Sequence, residues 1–250
     1  NFDEILQEAD AVMVARGDLG IETPIEQVPI VQKGLIRKAN LAGRPVITAT
    51  QMLGSMTYNI RPTRAEVNDV ANAVLDGTDC VMLSEETAIG EYPVETVSLM
   101  ARVTQSAECL YHRDQLFSDV RNQIKDTATN ENTTVSNMIS LNVVEAINKL
   151  NVRFIITQTS SGSTARHISR LKPHCWILAF SSYPKVCEAL VFSYGVYPLF
   201  KKQIIHNYPQ VLVKDITSKK LIAKGDSVIL TERRFSRRSG DTDSLGVITL

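Results

Sequence analysis

Three polar residues of this chain each follow a short apolar run. Asp18 comes after AVMVA and Arg16-Gly17, Thr50 after PVITA, and Ser84 after CVML. A carboxylate at a strand end can hold a hard divalent cation, and hydroxyls at neighbouring strand ends can bind a substrate or relay a proton. Asp18 taken alone fits equally well as the cap of the next helix. Three polar residues on the carboxyl side of successive strands are harder to explain as independent caps, because that side is where α/β sheets and barrels place their ligands. A second candidate lies in Thr159-Ser160-Ser161-Gly162-Ser163-Thr164, where a strand enters and a helix leaves. Amides, hydroxyls and a helix start converge there, the outline of a phosphate site, although a serine-rich turn that only caps its helix has the same composition. The loop has neither the Gly-Lys-Ser/Thr of a Walker sequence nor GxGxxG. Further on, Arg233, Arg234, Arg237, Arg238, Ser239 and Gly240 combine arginines with a glycine turn, which suits bidentate phosphate contacts.

The elements that must position these residues repeat. Strands expected at 11–15, 45–49 and 80–83, buried on both faces and each followed by a helix, start roughly 34 residues apart, the length of a parallel βα unit. Thr23-Pro24-Ile25-Glu26 and Thr63-Arg64-Ala65-Glu66 both fit a capping box, and Pro93 suits the start of a third helix. Val67, Val70, Ala71 and Val74 form one apolar stripe. Residues 1–111 thus read as about three parallel βα units, of the kind found in α/β sheets and in barrels. Residues 112–132 are polar, with no strong apolar periodicity after Phe117, and read as a linker. Residues 133–250 alternate again: helices about 134–150, 163–171 and 185–192, strands 153–157, 176–179, 196–199 and 227–230, a further helix after 199, and a return strand at 245–250. This pattern predicts a separate α/β sandwich with a mostly parallel sheet and an antiparallel last strand.

The balance of 27 basic and 27 acidic residues argues against a general nucleic-acid surface. Along the chain it is uneven: residues 1–100 carry 15 acids and 7 bases, residues 151–250 carry 6 acids and 15 bases. The first part suits a cation and the last an anion, or both are solvated faces. No apolar run reaches the roughly 18 residues of a membrane span, and the acidic start lacks the basic opening of a signal peptide. The expected compartment is the cytoplasm, with a plastid also compatible. Cys80, Cys109, Cys175 and Cys187 show no CxxC pair and read as buried free thiols.

The strings MVARGDLGIE, RPVITATQML and RPTRAEVNDVANAVLDGTDCVMLSEETAIGEYP resemble pyruvate kinase in order and spacing across residues 1–111. The resemblance implies phosphoryl transfer from phosphoenolpyruvate to ADP on a (β/α)₈ barrel, of which residues 1–111 are a partial segment, with Mg²⁺ (or Mn²⁺) and K⁺. It implies that Asp18 ligates Mg²⁺, that the amides of Gly17 and Asp18 receive the substrate carboxylate, that Thr50 binds near the carbon to be protonated, and that Ser84 belongs to the polar relay behind it. Arg64 corresponds to a residue at the subunit interface of a homotetramer. In MLSEET, Glu85 stands where many members have Gly. The lysine that stabilises the moving phosphoryl, the second Mg²⁺ carboxylate, the K⁺ ligands and the lid domain would all precede Phe2-Asp3-Glu4-Ile5-Leu6. The 250 residues are therefore expected to be inactive alone, as an enzyme component or, alternatively, a phosphosugar-binding or oligomerisation module.

In the second half Thr159, Ser161, Gly162, Thr164 and Ala165 resemble the effector loop of the same family, and the arginine loop with Arg237, Arg238 and Gly240 resembles its partner more loosely. Together with Ser160 and Ser163 they would hold an allosteric phosphorylated sugar or AMP.

Overall fold

The computed structural model describes residues 1–110, 118–122, 135–202, 213, 216–217, 221–232 and 242–249. The chain divides into two compact units, Asn1–Gln115 and Leu116–Leu250.

In the first unit α1 (Phe2–Glu8) leads to β1 (Val12–Ala15), α2 (Arg16–Glu22) and α3 (Val28–Leu41). Then follow β2 (Val46–Ala49), α4 (Arg64–Leu75), β3 (Cys80–Met82), α5 (Glu85–Ala88) and α6 (Pro93–Glu108). The strands form a parallel sheet in the order β1-β2-β3, with Val14 opposite Thr48 and Thr48 opposite Val81. These are the expected βα units, each strand at most one residue shorter at either end. Among the described residues they form an open three-stranded sheet. One face is sealed by helices: Val14 and Val46 pack with Leu6, Ile36 and Ala39. On the other, Met13 is 51% exposed, with Ile47 and Cys80 beside it in register. The expectation of strands buried on both faces therefore holds for β2, whose successive residues Thr48 and Ala49 are both 0% exposed, and is corrected for β1, where the face of Met13 is open.

The two expected capping boxes behave differently. Thr63 and Glu66 form theirs: the Thr63 hydroxyl accepts the Glu66 amide at 3.2 Å while the Glu66 carboxylate accepts the Thr63 amide at 2.7 Å. Thr23 and Glu26 do not. Thr23 is taken as the C-cap of α2, its amide bonded to the Leu19 carbonyl, and Pro24 leads into a 3₁₀ turn, Ile25–Gln27, ahead of α3. On α4 the fully packed stripe is Val70, Ala73 and Val74, with Val67 and Ala71 half-buried; Ala73 belongs to the same face and joins the cluster of Met52, Leu53, Met56 and Met100. Pro93 opens α6 as expected. The cysteines are free, but only Cys175 is buried; Cys109 is exposed. Burial, with Glu188 beside it, pushes the Cys187 thiol up and so disfavours its thiolate.

The second unit contains α7 (Val135–Lys149), β4 (Val152–Gln158), α8 (Ser163–Ser169), β5 (Trp176–Ser181), α9 (Pro184–Leu190), β6 (Val196–Phe200), β7 (Ser227–Glu232) and β8 (Ser244–Thr249). The sheet runs β6-β5-β4-β7-β8, all parallel except the β7–β8 pair. The expected antiparallel last strand is therefore present. The helix expected after residue 199 falls mostly outside the described residues. Phe154, Ile156, Leu178, Phe180, Val228 and Leu230 fill one face together with Ile216 and Ile222.

Glu66 yields a prediction. Partial burial raises its pKa, but bonds from Ser55 and Thr63 outweigh this and hold the carboxyl below its usual 4.5. A depressed folded-state pKa contributes stability that is complete above about 4.5 and is lost as pH falls through the folded value. Thr63→Ala is expected to cost about 1 kcal/mol at neutral pH. Glu66→Gln should flatten the acid side of the stability profile, read by urea unfolding across pH.

Candidate active site and anion loop

Because β1, β2 and β3 are parallel, their carboxyl ends share one edge, and Asp18, Thr50 and Ser84 all follow strands there. The edge is built around Arg16, the first residue of α2 and only 7% exposed. Its Nε and Nη2 donate to the Thr50 carbonyl at 3.1 and 2.7 Å, Nη2 donates to the Gln51 carbonyl at 2.8 Å, and Nη1 pairs with the Asp69 carboxylate of α4. Thr50 and Gln51 sit at φ 66° and 53°, left-handed backbone that non-glycine residues adopt only when the surroundings impose it. The guanidinium imposes it here by collecting both carbonyls. The left-handed turn in turn aims the Thr50 hydroxyl at the first turn of α2, where it accepts the Gly17 amide at 2.9 Å.

The third strand end is tied to the second by a carboxylate. Glu86 is 1% exposed and accepts the Leu53 amide at 3.1 Å and the Ser84 amide at 2.8 Å. Ser84 precedes α5, whose first residue is Glu85. Gly90 ends this segment against the Glu86 backbone: a Cβ there would lie 2.3 Å from the Glu86 carbonyl oxygen, so only glycine fits. Glu66 adds a further tie through the Ser55 amide and hydroxyl, both at 2.6 Å.

The structure thus brings Gly17 and Thr50 into direct contact and holds Ser84 at the same edge. Asp18 lies in the first turn of α2 with its side chain exposed. One exposed carboxylate fits Mg²⁺, which is bound through one or two protein carboxylates with the remaining positions left to water and substrate. Among the described residues no three His, Cys, Asp or Glu side chains gather at metal-binding distance. Arg64 is the exposed first residue of α4. Arg16, Asp69 and Glu86 were not singled out from sequence; for Arg16 the available signal was a charged residue directly abutting the apolar run 11–15, and Asp69 and Glu86 carried no comparable signal.

In the second unit β4 is followed by β5 and β6 on one side, while β7 lies on its other side. The chain therefore reverses its strand order between β4 and β7, where ligands bind in open α/β sheets, beyond the carboxyl ends. The loop 159–164 leaves β4 at that edge. The Thr159 hydroxyl accepts the Gly162 amide at 2.8 Å, closing the turn. Gly162 has φ 81°, and a Cβ on it would meet the Arg166 guanidinium at 2.8 Å. Thr159, Gly162 and Thr164 are buried, Ser160 and Ser161 exposed and Ser163 half-buried. The Thr164 hydroxyl bonds that of Thr242, whose amide donates to Ser136 Oγ at 3.1 Å, tying the loop to α7 and the start of β8. Arg233, Arg234, Arg237, Arg238, Ser239 and Gly240 lie outside the described residues. Nearby, burial lowers the Arg170 guanidinium to about 10, which leaves it charged at neutral pH; it donates to Asn137 Oδ1 at 3.0 Å.

The geometry defines a class: an α/β chain with a segment of parallel βα units followed by an α/β domain, each presenting loops at strand carboxyl ends. The family model "Pyruvate kinase, barrel domain" matches residues 1–97, and "Pyruvate kinase, alpha/beta domain" matches residues 137–248. A pyruvate kinase of Thermococcus litoralis is 48% identical over 252 residues, covering 100% of this chain and 52% of the relative. One from Candida albicans is 45% identical over 257 residues, covering 99% and 50%. The crystal structure of a pyruvate kinase from Cryptosporidium parvum superposes with a TM-score of 0.87 at 39% identity, over 100% of this chain and 48% of that one. The chain belongs to the pyruvate kinase family, and it spans about half the length of the curated relatives it matches.

Arg16→Leu is expected to lower the stability of the first unit by about 1–3 kcal/mol, since it takes their donors from two carbonyls of a left-handed turn, while the part-exposed Asp69 is left to water. Urea unfolding followed by circular dichroism measures the loss. The fluorescence transition of Trp176, in the second unit, should stay in place.

Proposed function

We propose that these residues form the carboxy-terminal portion of a pyruvate kinase that transfers a phosphoryl group from phosphoenolpyruvate to ADP, giving pyruvate and ATP. The observation that carries this reading is the Gly17 amide against the Thr50 hydroxyl, beside the exposed Asp18, at the strand-end edge of a segment matched to the family's barrel. Amides of Gly17 and Asp18 bind the substrate carboxylate, the Thr50 hydroxyl turning from Gly17 toward the ligand. Thr50 lies near the carbon that gains a proton, and Ser84 continues the polar relay. Asp18 would hold Mg²⁺, which when bound neutralises charge on the transferring phosphoryl. No residue of this chain is assigned to K⁺.

A barrel needs eight strands, and the described residues supply three. The phosphoryl-stabilising lysine and a second carboxylate then come from the rest of the barrel, and the 250 residues alone do not turn over. Arg64 contributes to a subunit interface in a cytoplasmic homotetramer. The loop 159–164, with Arg237, Arg238 and Gly240, takes a phosphorylated sugar or AMP as allosteric effector. A second reading, a phosphosugar-binding module without catalysis, is favoured by one observation: the loop sits at the strand-order reversal of a unit with its own core.

A coupled assay with phosphoenolpyruvate, ADP, Mg²⁺ and K⁺ separates the two. The 250-residue chain is expected to give no ATP. Its fusion to the preceding barrel half of the Thermococcus litoralis relative is expected to give turnover, reduced about a hundredfold or more by Asp18→Asn and by Thr50→Val. An inactive, folded fusion would leave the binding-module reading. For the effector loop, fructose bisphosphate should raise the melting temperature of the chain, and Gly162→Ala should abolish that rise. Unchanged melting with every phosphorylated sugar tried, and with AMP, would remove the allosteric assignment.

A further inference from the structure

We propose that the second unit carries a separate binding site for flat, apolar monocarboxylates at the amino-terminal edge of its sheet. A cavity of about 1040 Å³ opens there, at the starts of β4, β5 and β6, on the edge opposite the loop 159–164. Its floor is the outer part of the core: Phe154, Leu178 and Ile216. Two aromatic residues wall it. Trp176 aligns with Phe154, and Tyr197 aligns with Leu178, so all four side chains project from one sheet face. Trp176 and Tyr197 are each 56% exposed, a large apolar area for residues standing over a packed core. A concave apolar site with a few polar groups at its mouth is the usual form of a small-molecule pocket.

The mouth selects the sign of the ligand. Arg153 reaches over the Phe154 ring, its Cζ 5.8 Å from the centroid, so the guanidinium is held at the cavity beside the aromatic floor. His174 stands at the same mouth. Among the described residues the one carboxylate lining the cavity, Asp226, already accepts the Ala223 amide at 2.8 Å. A planar guanidinium matches a carboxylate with two parallel bonds, and the aromatic walls match a flat ring system. This chemistry differs from that of the loop 159–164, which offers mainly hydroxyls and amides.

The chain contains a single tryptophan, so Trp176 reports directly on the cavity. Biphenylacetate titrated into the full 250-residue chain is expected to change Trp176 emission saturably, with the same midpoint by calorimetry. The neutral amide, biphenylacetamide, should bind roughly tenfold more weakly, the loss of one charge-assisted contact. Arg153→Gln should weaken the acid to the level of the amide and leave the amide unchanged, whereas Tyr197→Ala should weaken both. Fructose bisphosphate should displace neither. Equal binding of acid and amide, no saturation at millimolar probe, an unaltered acid affinity in Arg153→Gln, or displacement by fructose bisphosphate would each overturn the proposal.

Discussion

The edge of the first unit depends on a guanidinium removed from water. Arg16 is held by two backbone carbonyls and the Asp69 carboxylate, and its burial is tolerable only because its donors meet acceptors. The consequence runs outward from there. With both carbonyls collected on one side, residues 50 and 51 are forced into left-handed backbone, and the Thr50 hydroxyl is delivered to the Gly17 amide. An aliphatic residue at position 16 would bury as well, but nothing would then define where the β2 end points. The charge sets direction as well as contributing strength.

The second unit reaches order by topology. Its core is an ordinary parallel sheet, and what gives one edge its character is the reversal of strand order between β4 and β7. Hydroxyl contacts among Thr159, Thr164, Thr242 and Ser136 then join the β4 loop to the flanking helix and the last strand. A left-handed glycine closes the turn and leaves room for Arg166.

Much of this was legible from residue patterns, and the exceptions have physical causes. The three strands, the Thr63–Glu66 box and the Pro93 helix start rest on local rules, so sequence spacing suffices. The Thr23–Glu26 pair satisfies the same local rule and fails, because the unrecognised helix α2 ends on Thr23 and takes its amide. Strand positions such as Met13 look identical to core in sequence; their exposure depends on how many neighbouring layers exist, which is a tertiary fact. The positions of Asp18, Thr50 and Ser84 at one edge followed from parallel strands alone. The residues that fix the geometry there, Arg16 and Glu86, act over 34 and 33 residues of sequence, beyond the reach of any helical or strand period.

Glu86 has a mechanical consequence. A carboxylate is a rigid plate, and its two oxygens each hold the amide of a different strand-end loop. The segment after β2 and the segment after β3 therefore cannot drift independently without breaking a buried bond. A displacement of either loop is passed to the other through one side chain, which holds Ser84 directly and Thr50 only through the chain leading to Leu53.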